Sequence, residues 1–136
     1  MGRRSTCPIN QGLELFGDKW TLLIIRDILF NRKSTYRDFL QSEEKIASNI
    51  LSDRLSMLER EGILIKKSDA AHKQKIIYTL TEKGIDLLPV LIEVGVWSAK
   101  HGIVNAHDKL HVKELKAGGE NLKKQIRKEF LSKLKA

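Results

Sequence analysis

Residues 46–62, IASNILSDRLSMLEREG, constrain this chain more than any other stretch. Leu51, Leu55 and Leu58 recur at the i, i+4, i+7 spacing of a helix with one buried side. The other side carries Asn49, Ser52, Asp53, Ser56 and Arg60. A solvated helix face usually holds long charged side chains, yet the first two turns here hold Ser48, Asn49 and Ser52. Short polar groups let a helix approach a second surface closely while still offering donors and acceptors. Gly62 follows, where helices close on a left-handed residue. Such a helix suits the major groove of DNA. Taken alone it also suits an ordinary amphipathic surface helix, and its neighbours separate the two.

Upstream, Ser34 or Thr35 caps a short helix, TYRDFLQ, with Tyr36, Phe39 and Leu40 turned inward, and SEEK connects it to the next. Two helices joined by a short turn, the second with a polar face, make a helix-turn-helix pattern. Before them, Pro8–Phe16 reads as a short helix with Ile9, Leu13 and Phe16 on one side. Gly17 ends it, and Asp18 stands where an N-cap belongs ahead of KWTLLIIRDILF. That segment is apolar almost all round, which marks the central buried helix. Downstream, ILIKK and KIIYTL are β-branched runs around a polar Ser68–Gln74 segment, a β-hairpin over about residues 63–79. Its lysines suit a wing that touches phosphates. They also suit a solvated hairpin that discourages edge pairing.

Thr81 caps TEKGIDLLPVLIEVGVWSAKHG, in which Ile85, Leu88, Ile92 and Val96 form a helical stripe. Pro89 is expected to kink or split this helix. Leu91, Val94 and Trp97 widen the stripe beyond what one small domain covers. With the first helix this predicts a dimer interface of Ile9, Leu13, Leu88, Leu91, Ile92 and Trp97. The fold class is therefore α+β, mainly α: a winged helix-turn-helix with a long dimerisation helix over residues 1–106, then a basic amphipathic helical tail, 107–136. In the tail, after Gly118-Gly119, Leu122, Ile126, Phe130 and Leu134 recur at i+4. Packing across the dimer is the first expectation for that helix. A basic arm on DNA and contact with a membrane or partner are the others.

Composition narrows the function. The chain has 136 residues and a formal charge of +8, which favours an anionic partner, nucleic acid before membrane. From Lys109 onward nine Lys/Arg stand against three Asp/Glu, so most of the excess sits in the tail rather than near the polar helix. No apolar run approaches the roughly 20 residues needed to span a bilayer. MGRRSTCPIN has no apolar segment after its arginines, so no signal peptide and no membrane partner are expected. A single cysteine excludes an internal disulfide and points to a reducing, cytoplasmic setting. There is no Gly-rich phosphate loop, no paired carboxylates in an apolar setting and no nucleophile-base ordering. His107 and His111 are four apart but lack completing ligands. The expectation is no enzyme, no metal and no cofactor.

In this order, GDKW, then RL..LE..G, then Y.LT..G resemble the HxlR-type winged-helix transcription regulators, cousins of the MarR group, over about Cys7 to Trp97. The resemblance implies a homodimer that binds double-stranded DNA at a roughly palindromic operator, as a repressor answering an unknown effector. The setting it implies is the prokaryotic cytoplasm, at the nucleoid. It places residues of about 47–61 in the major groove with the wing alongside. By position, Ser48, Asn49, Ser52 and Asp53 face base edges, and Arg54 lies near the backbone or braces the helix. Tyr36 and Arg37 meet phosphates, as do Lys73 and Lys75 from the wing. Relatives often have serine followed by proline where this chain has Ala47-Ser48. Asp53 replaces a frequent neutral amide, which predicts an altered site preference, because a carboxylate accepts from cytosine but repels phosphate. In some relatives a cysteine before the first helix senses oxidants or electrophiles, making Cys7 the redox-sensing candidate. A small apolar residue tucked into the dimer interface is the other reading. The rival to DNA binding is a winged-helix protein-interaction module.

Overall fold

The computed structural model describes residues 4–69, 71–72 and 74–135. Their order is α1 (Pro8–Phe16), α2 (Thr21–Leu29), α3 (Tyr36–Leu40), α4 (Ser48–Arg60), β1 (Leu64–Ser68), β2 (Ile76–Leu80), α5 (Glu82–Ile85), α6 (Leu88–His101) and α7 (Ala106–Lys135). Helix α2 is the core: Ile24, Ile25, Ile28 and Leu29 are all buried. Against it pack Phe39 of α3, the Leu51, Leu55 and Leu58 stripe of α4, Ile63, Leu64, Leu80, Ile85 and Leu88. Each such side chain contributes about 1.5–3 kcal/mol of burial.

The helix-turn-helix is set by polar contacts as well as by the apolar stripe. Thr35 and Asp38 form a reciprocal capping box that starts α3. The turn to α4 passes through Lys45, whose φ of 53–57° class is shared with Arg32 (Lys45 at 57°, Arg32 at 53°), and drops Ile46 into the core. Under the turn lies Asp27, buried on α2. It accepts from Arg26 at 2.9 Å, from Asn31 Nδ2 at 3.0 Å and from the Ser42 hydroxyl. Arg26 reaches on to Glu44 with two bonds of 2.7 and 2.8 Å, so α2 holds the turn through a shared ionic network. Helix α4 ends in a Schellman motif: Ile63 N–H donates to Leu58 O and Gly62 N–H to Glu59 O, with Gly62 at φ 74°.

The hairpin pairs β1 with β2 antiparallel, Leu64 opposite Leu80 and Lys67 opposite Ile77. Tyr78 N–H donates to Ser34 O at 2.7 Å, which ties the outer edge of β2 to the segment before α3. Thr81 caps α5, and its hydroxyl also donates to Gly62 O at 2.5 Å. Pro89 lies in the first turn of α6, so the expected split falls just before it.

Three expectations are corrected. Leu88 is only 1% exposed, consumed by the core of its own chain, and so is not available to a partner. The start of α2 comes at Thr21, with the Asp18 side chain accepting from Trp20 and Thr21 N–H, rather than at Lys19. Helix α7 bends at Gly119 (φ 49°, ψ −133°), and its second half folds back on α5 and β2. Ile126 and Phe130 are buried in this chain's own core, so the stripe expected to pack across a dimer is spent within the protomer.

Candidate nucleic-acid interface

The face of α4 opposite Leu51, Leu55 and Leu58 is exposed at Ser48, Asn49, Ser52 and Asp53. No side chain caps the start of this helix, because Ala47 occupies the N-cap. Its first backbone N–H groups therefore point outward at the positive end of the helix dipole, where an anion is stabilised.

The four polar residues are not equivalent. The Asn49 side chain has no hydrogen-bond partner among the described residues, so its donor and acceptor are both available. Ser52 Oγ lies 3.1 Å from the Tyr36 hydroxyl, which also donates to Ser48 O at 2.9 Å. Tyr36 thus joins α3 to the first turns of α4. Asp53 is ion-paired with Arg54, which partly cancels the charge that would repel phosphate. Arg54 itself is turned back: its Nε donates to Asp18 Oδ2 at 2.9 Å. Of the two roles expected of Arg54, the geometry is that of a brace.

Asp18 gathers this brace and the start of α2. Burial alone would raise its carboxyl, but hydrogen bonds from the Thr21 hydroxyl, Arg54 and the Trp20 and Thr21 N–H groups outweigh it and hold it at about 2. Glu44, bonded by Arg26, is likewise held at about 2. Both carboxylates are therefore charged at neutral pH.

Arg37 on α3 is exposed and has no ion pair among the described residues. On the wing, Lys75 is exposed and lies 4.0 Å from Asp69, while Lys66 lies 3.7 Å from Glu59. Lys73 lies outside the described residues. Arg37 and Lys75 are thus exposed cations on α3 and on the wing, and the start of α4 adds N–H donors without a side-chain cap. Of the residues expected at a dimer interface, Ile9 (75% exposed), Leu13 (53%) and Trp97 (66%) are open, as is Val94. Leu91 and Ile92 pack partly against the core. Cys7 is exposed at the N-cap of α1, and Arg4 nearby is engaged by Glu14 and Asn10. Among the described residues no cluster of His, Cys, Asp and Glu could hold a metal, and no helix is long and apolar enough to cross a membrane.

A recognition-type helix with a bare polar face, set on a three-helix core and flanked by a hairpin, defines a winged helix-turn-helix. The model of the HxlR-like helix-turn-helix family matches residues 15–106, and the chain belongs to that family. It is 31% identical over 93 residues to the HTH-type transcriptional regulator YodB of Bacillus subtilis, covering 68% of this chain and 82% of YodB. The reduced form of YodB superposes with a TM-score of 0.58 at 29% identity, covering 71% of this chain and 95% of that one. PA1607, described as a putative transcription factor, gives 0.68 at 29% identity over 76% and 71% of the two chains. The redox regulator HypR in its oxidized form gives 0.63 at 25% identity over 72% and 100%. YodB has also been solved treated with diamide and bound to quinone. The family and its curated members are transcriptional regulators, not enzymes, and this chain is a DNA-binding regulator.

Proposed function

We propose that two copies of this chain bind a roughly two-fold symmetric operator as a repressor, each inserting the start of α4 into a major groove with the β1–β2 wing alongside. The observation that carries this reading is the α4 face itself: Asn49 unengaged, Ser48 and Ser52 short and exposed, and an N-terminus without a side-chain cap. Asn offers the paired donor and acceptor that match an adenine edge. The open apolar residues Ile9, Leu13, Val94 and Trp97 are the surface that a second copy covers.

The response we assign to the dimer is thiol-based, through Cys7. Its exposure and its closeness in sequence to Ile9 and Leu13 support this, together with the redox and quinone states named for HypR and YodB. With one cysteine per chain, the switch works by a disulfide between protomers, a mixed disulfide with a small thiol, or alkylation.

The test is a salt-titrated binding experiment with DNA from upstream of the chain's own gene and a scrambled duplex as competitor, with and without diamide. Binding that survives competitor, and a diamide effect lost in Cys7→Ser, is the expected outcome. Binding no tighter than to scrambled DNA would favour an interaction module that contacts protein instead.

A further inference from the structure

After its bend at Gly119, α7 carries six Lys/Arg and one Glu over residues 121–135. Ile126 and Phe130 hold this half against the protomer core. Its charged side chains divide by direction. Arg127 donates to Glu82 of α5, and Glu129 meets Arg32 at 2.8 Å and Lys133 at 3.3 Å. The single carboxylate of this half is thus engaged within the protomer. Lys124, Lys128 and Lys135 instead fall within about 40° of one another around the helix, on the side opposite Ile126. All three are exposed and have no hydrogen bond or ion pair among the described residues. Exposed Asn121, Gln125 and Ser132 border them, so the outer face of this half is basic and free of acid.

The wing shows where that face lies. Ile65, Lys67, Ile77 and Thr79 share one side of the hairpin, and Tyr78 on the other side meets Phe39 of α3. Lys67 Nζ donates to Lys133 O at 2.6 Å. The next pair along the ladder, Ser68 with Ile76, is its last. The end of α7 is therefore held beside the outer end of the wing, on the side away from α3. The same bond covers one of the carbonyls left open at a helix C-terminus, and Lys133 and Lys135 in the last turn offset the negative end of the dipole. A helix end that would otherwise repel phosphate is thereby made basic.

We propose that the outer face of α7 binds the phosphate backbone of duplex DNA on the far side of the wing from α3, with Lys128 and Lys135 as its contacts. This rests on the reading that the wing lies along DNA. Because Ile126, Phe130 and Arg127 already fix the helix, the contact carries little of the ordering cost of a flexible basic arm. A membrane fits less well, since an interfacial helix inserts its large apolar residues and here Ile126 and Phe130 are buried. The tail lies outside the matched residues 15–106, so this contact is separate from the family's shared part.

Fluorescence anisotropy of the full chain on a random-sequence duplex, over a series of salt concentrations, tests this without an operator. Lys128→Gln with Lys135→Gln should reduce the slope of log K against log salt by about two units per bound protomer. Lys109→Gln with Lys113→Gln removes the same charge from exposed lysines before the bend, and should move the slope by less than about half a unit. Both double variants should melt as wild type does. An equal reduction in the two, or a slope unmoved by the Lys128 and Lys135 changes, would overturn the tail contact while leaving α4 and the wing in place. Wild type that binds no duplex at any salt would overturn the DNA-binding reading as well. Vesicles of phosphatidylglycerol and phosphatidylcholine are the second probe. Vesicle binding lost in the Lys128 and Lys135 variant, with its duplex slope unchanged, would give this face to a membrane and overturn the proposal.

Discussion

Arg54 of α4 donates its Nε to Asp18 Oδ2 at 2.9 Å, joining α4 to the loop that opens the core helix. The two residues are 36 positions apart and belong to separate sequence motifs, GDKW and RL..LE..G. Asp18 is also the acceptor that starts α2, so one carboxylate fixes both where the core helix begins and how α4 sits on it. The orientation of the Asn49 face follows from this pair.

Asp18 therefore links stability to pH. Its folded value of about 2 lies below the ordinary 3.8. A lowered carboxylate gives stability that is complete above about pH 4 and is lost as pH falls toward 2. Asp18→Asn should cost about 1–2 kcal/mol at pH 7. The gap from wild type should shrink in urea titrations repeated near pH 2.5. A gap that stays constant between the two pH values would mean that the charge of Asp18 contributes little.

Gly62 and Gly84 make a contrast in cause. Gly62 sits at φ 74° with open space around its Cα, so Gly62→Ala should cost about 1–2 kcal/mol from backbone conformation alone. At Gly84 an added Cβ would stand 2.5 Å from Ile63 O and 2.8 Å from Leu80 Cδ2. Gly84→Ala should cost about 1–3 kcal/mol through displacement of β2 and α5. Amide exchange would separate them, with faster exchange at the hairpin base for Gly84→Ala and at the end of α4 for Gly62→Ala.

The apolar residues of the tail and of α6 should respond in opposite ways. Phe130→Ala removes a ring that is 1% exposed and should cost about 3–5 kcal/mol of protomer stability. Trp97→Ala removes one that is 66% exposed, and should change protomer stability by no more than about 0.5 kcal/mol. Sedimentation should show the Trp97 variant shifted toward monomer. A Trp97→Ala protein that sediments as wild type would remove this residue from the proposed dimer contact.

Lys75→Gln and Arg37→Gln should weaken binding to all duplexes about equally and reduce the salt slope by about one unit each. Salt-titrated anisotropy against specific and scrambled DNA reads both quantities. A change in sequence preference in these variants, rather than in overall affinity, would reverse the roles assigned to the wing and to α4.

Much of this architecture was legible because its signals are local. The Leu51–Leu55–Leu58 spacing, the β-branched runs of the hairpin and Pro89 each act within a few residues, and the helices, wing and split lie where they imply. GDKW, RL..LE..G and Y.LT..G were legible as motifs but not as contacts. Only the fold shows Asp18 meeting Arg54, Thr81 bridging to Gly62, and Gly84 lying against Ile63 O. The Asp27 network was hidden because its partners, Ser42 and Arg26, converge through tertiary packing. Leu88 was assigned to a partner, and the tail stripe was first expected there, because apolar width does not say which chain covers it. Tyr36 was read as a phosphate contact and Arg54 as lying near the DNA backbone or bracing the helix; the hydrogen bonds of Tyr36 add a tie to α4 that the sequence did not show, and those of Arg54 fit the brace.

The central claim is that the exposed start of α4 reads base sequence. Selection of bound duplexes from a random-sequence pool, run in parallel with wild type and Asn49→Ala, tests it most directly. Wild type should enrich a two-fold symmetric element whose half-sites lie about one helical turn, roughly 10 base pairs, apart. Asn49→Ala should lose discrimination at one position of each half-site, a change of about 1–3 kcal/mol, with the rest of the element retained. A pool with no enriched sequence for wild type, or the same element at the same stringency for Asn49→Ala, would contradict the account.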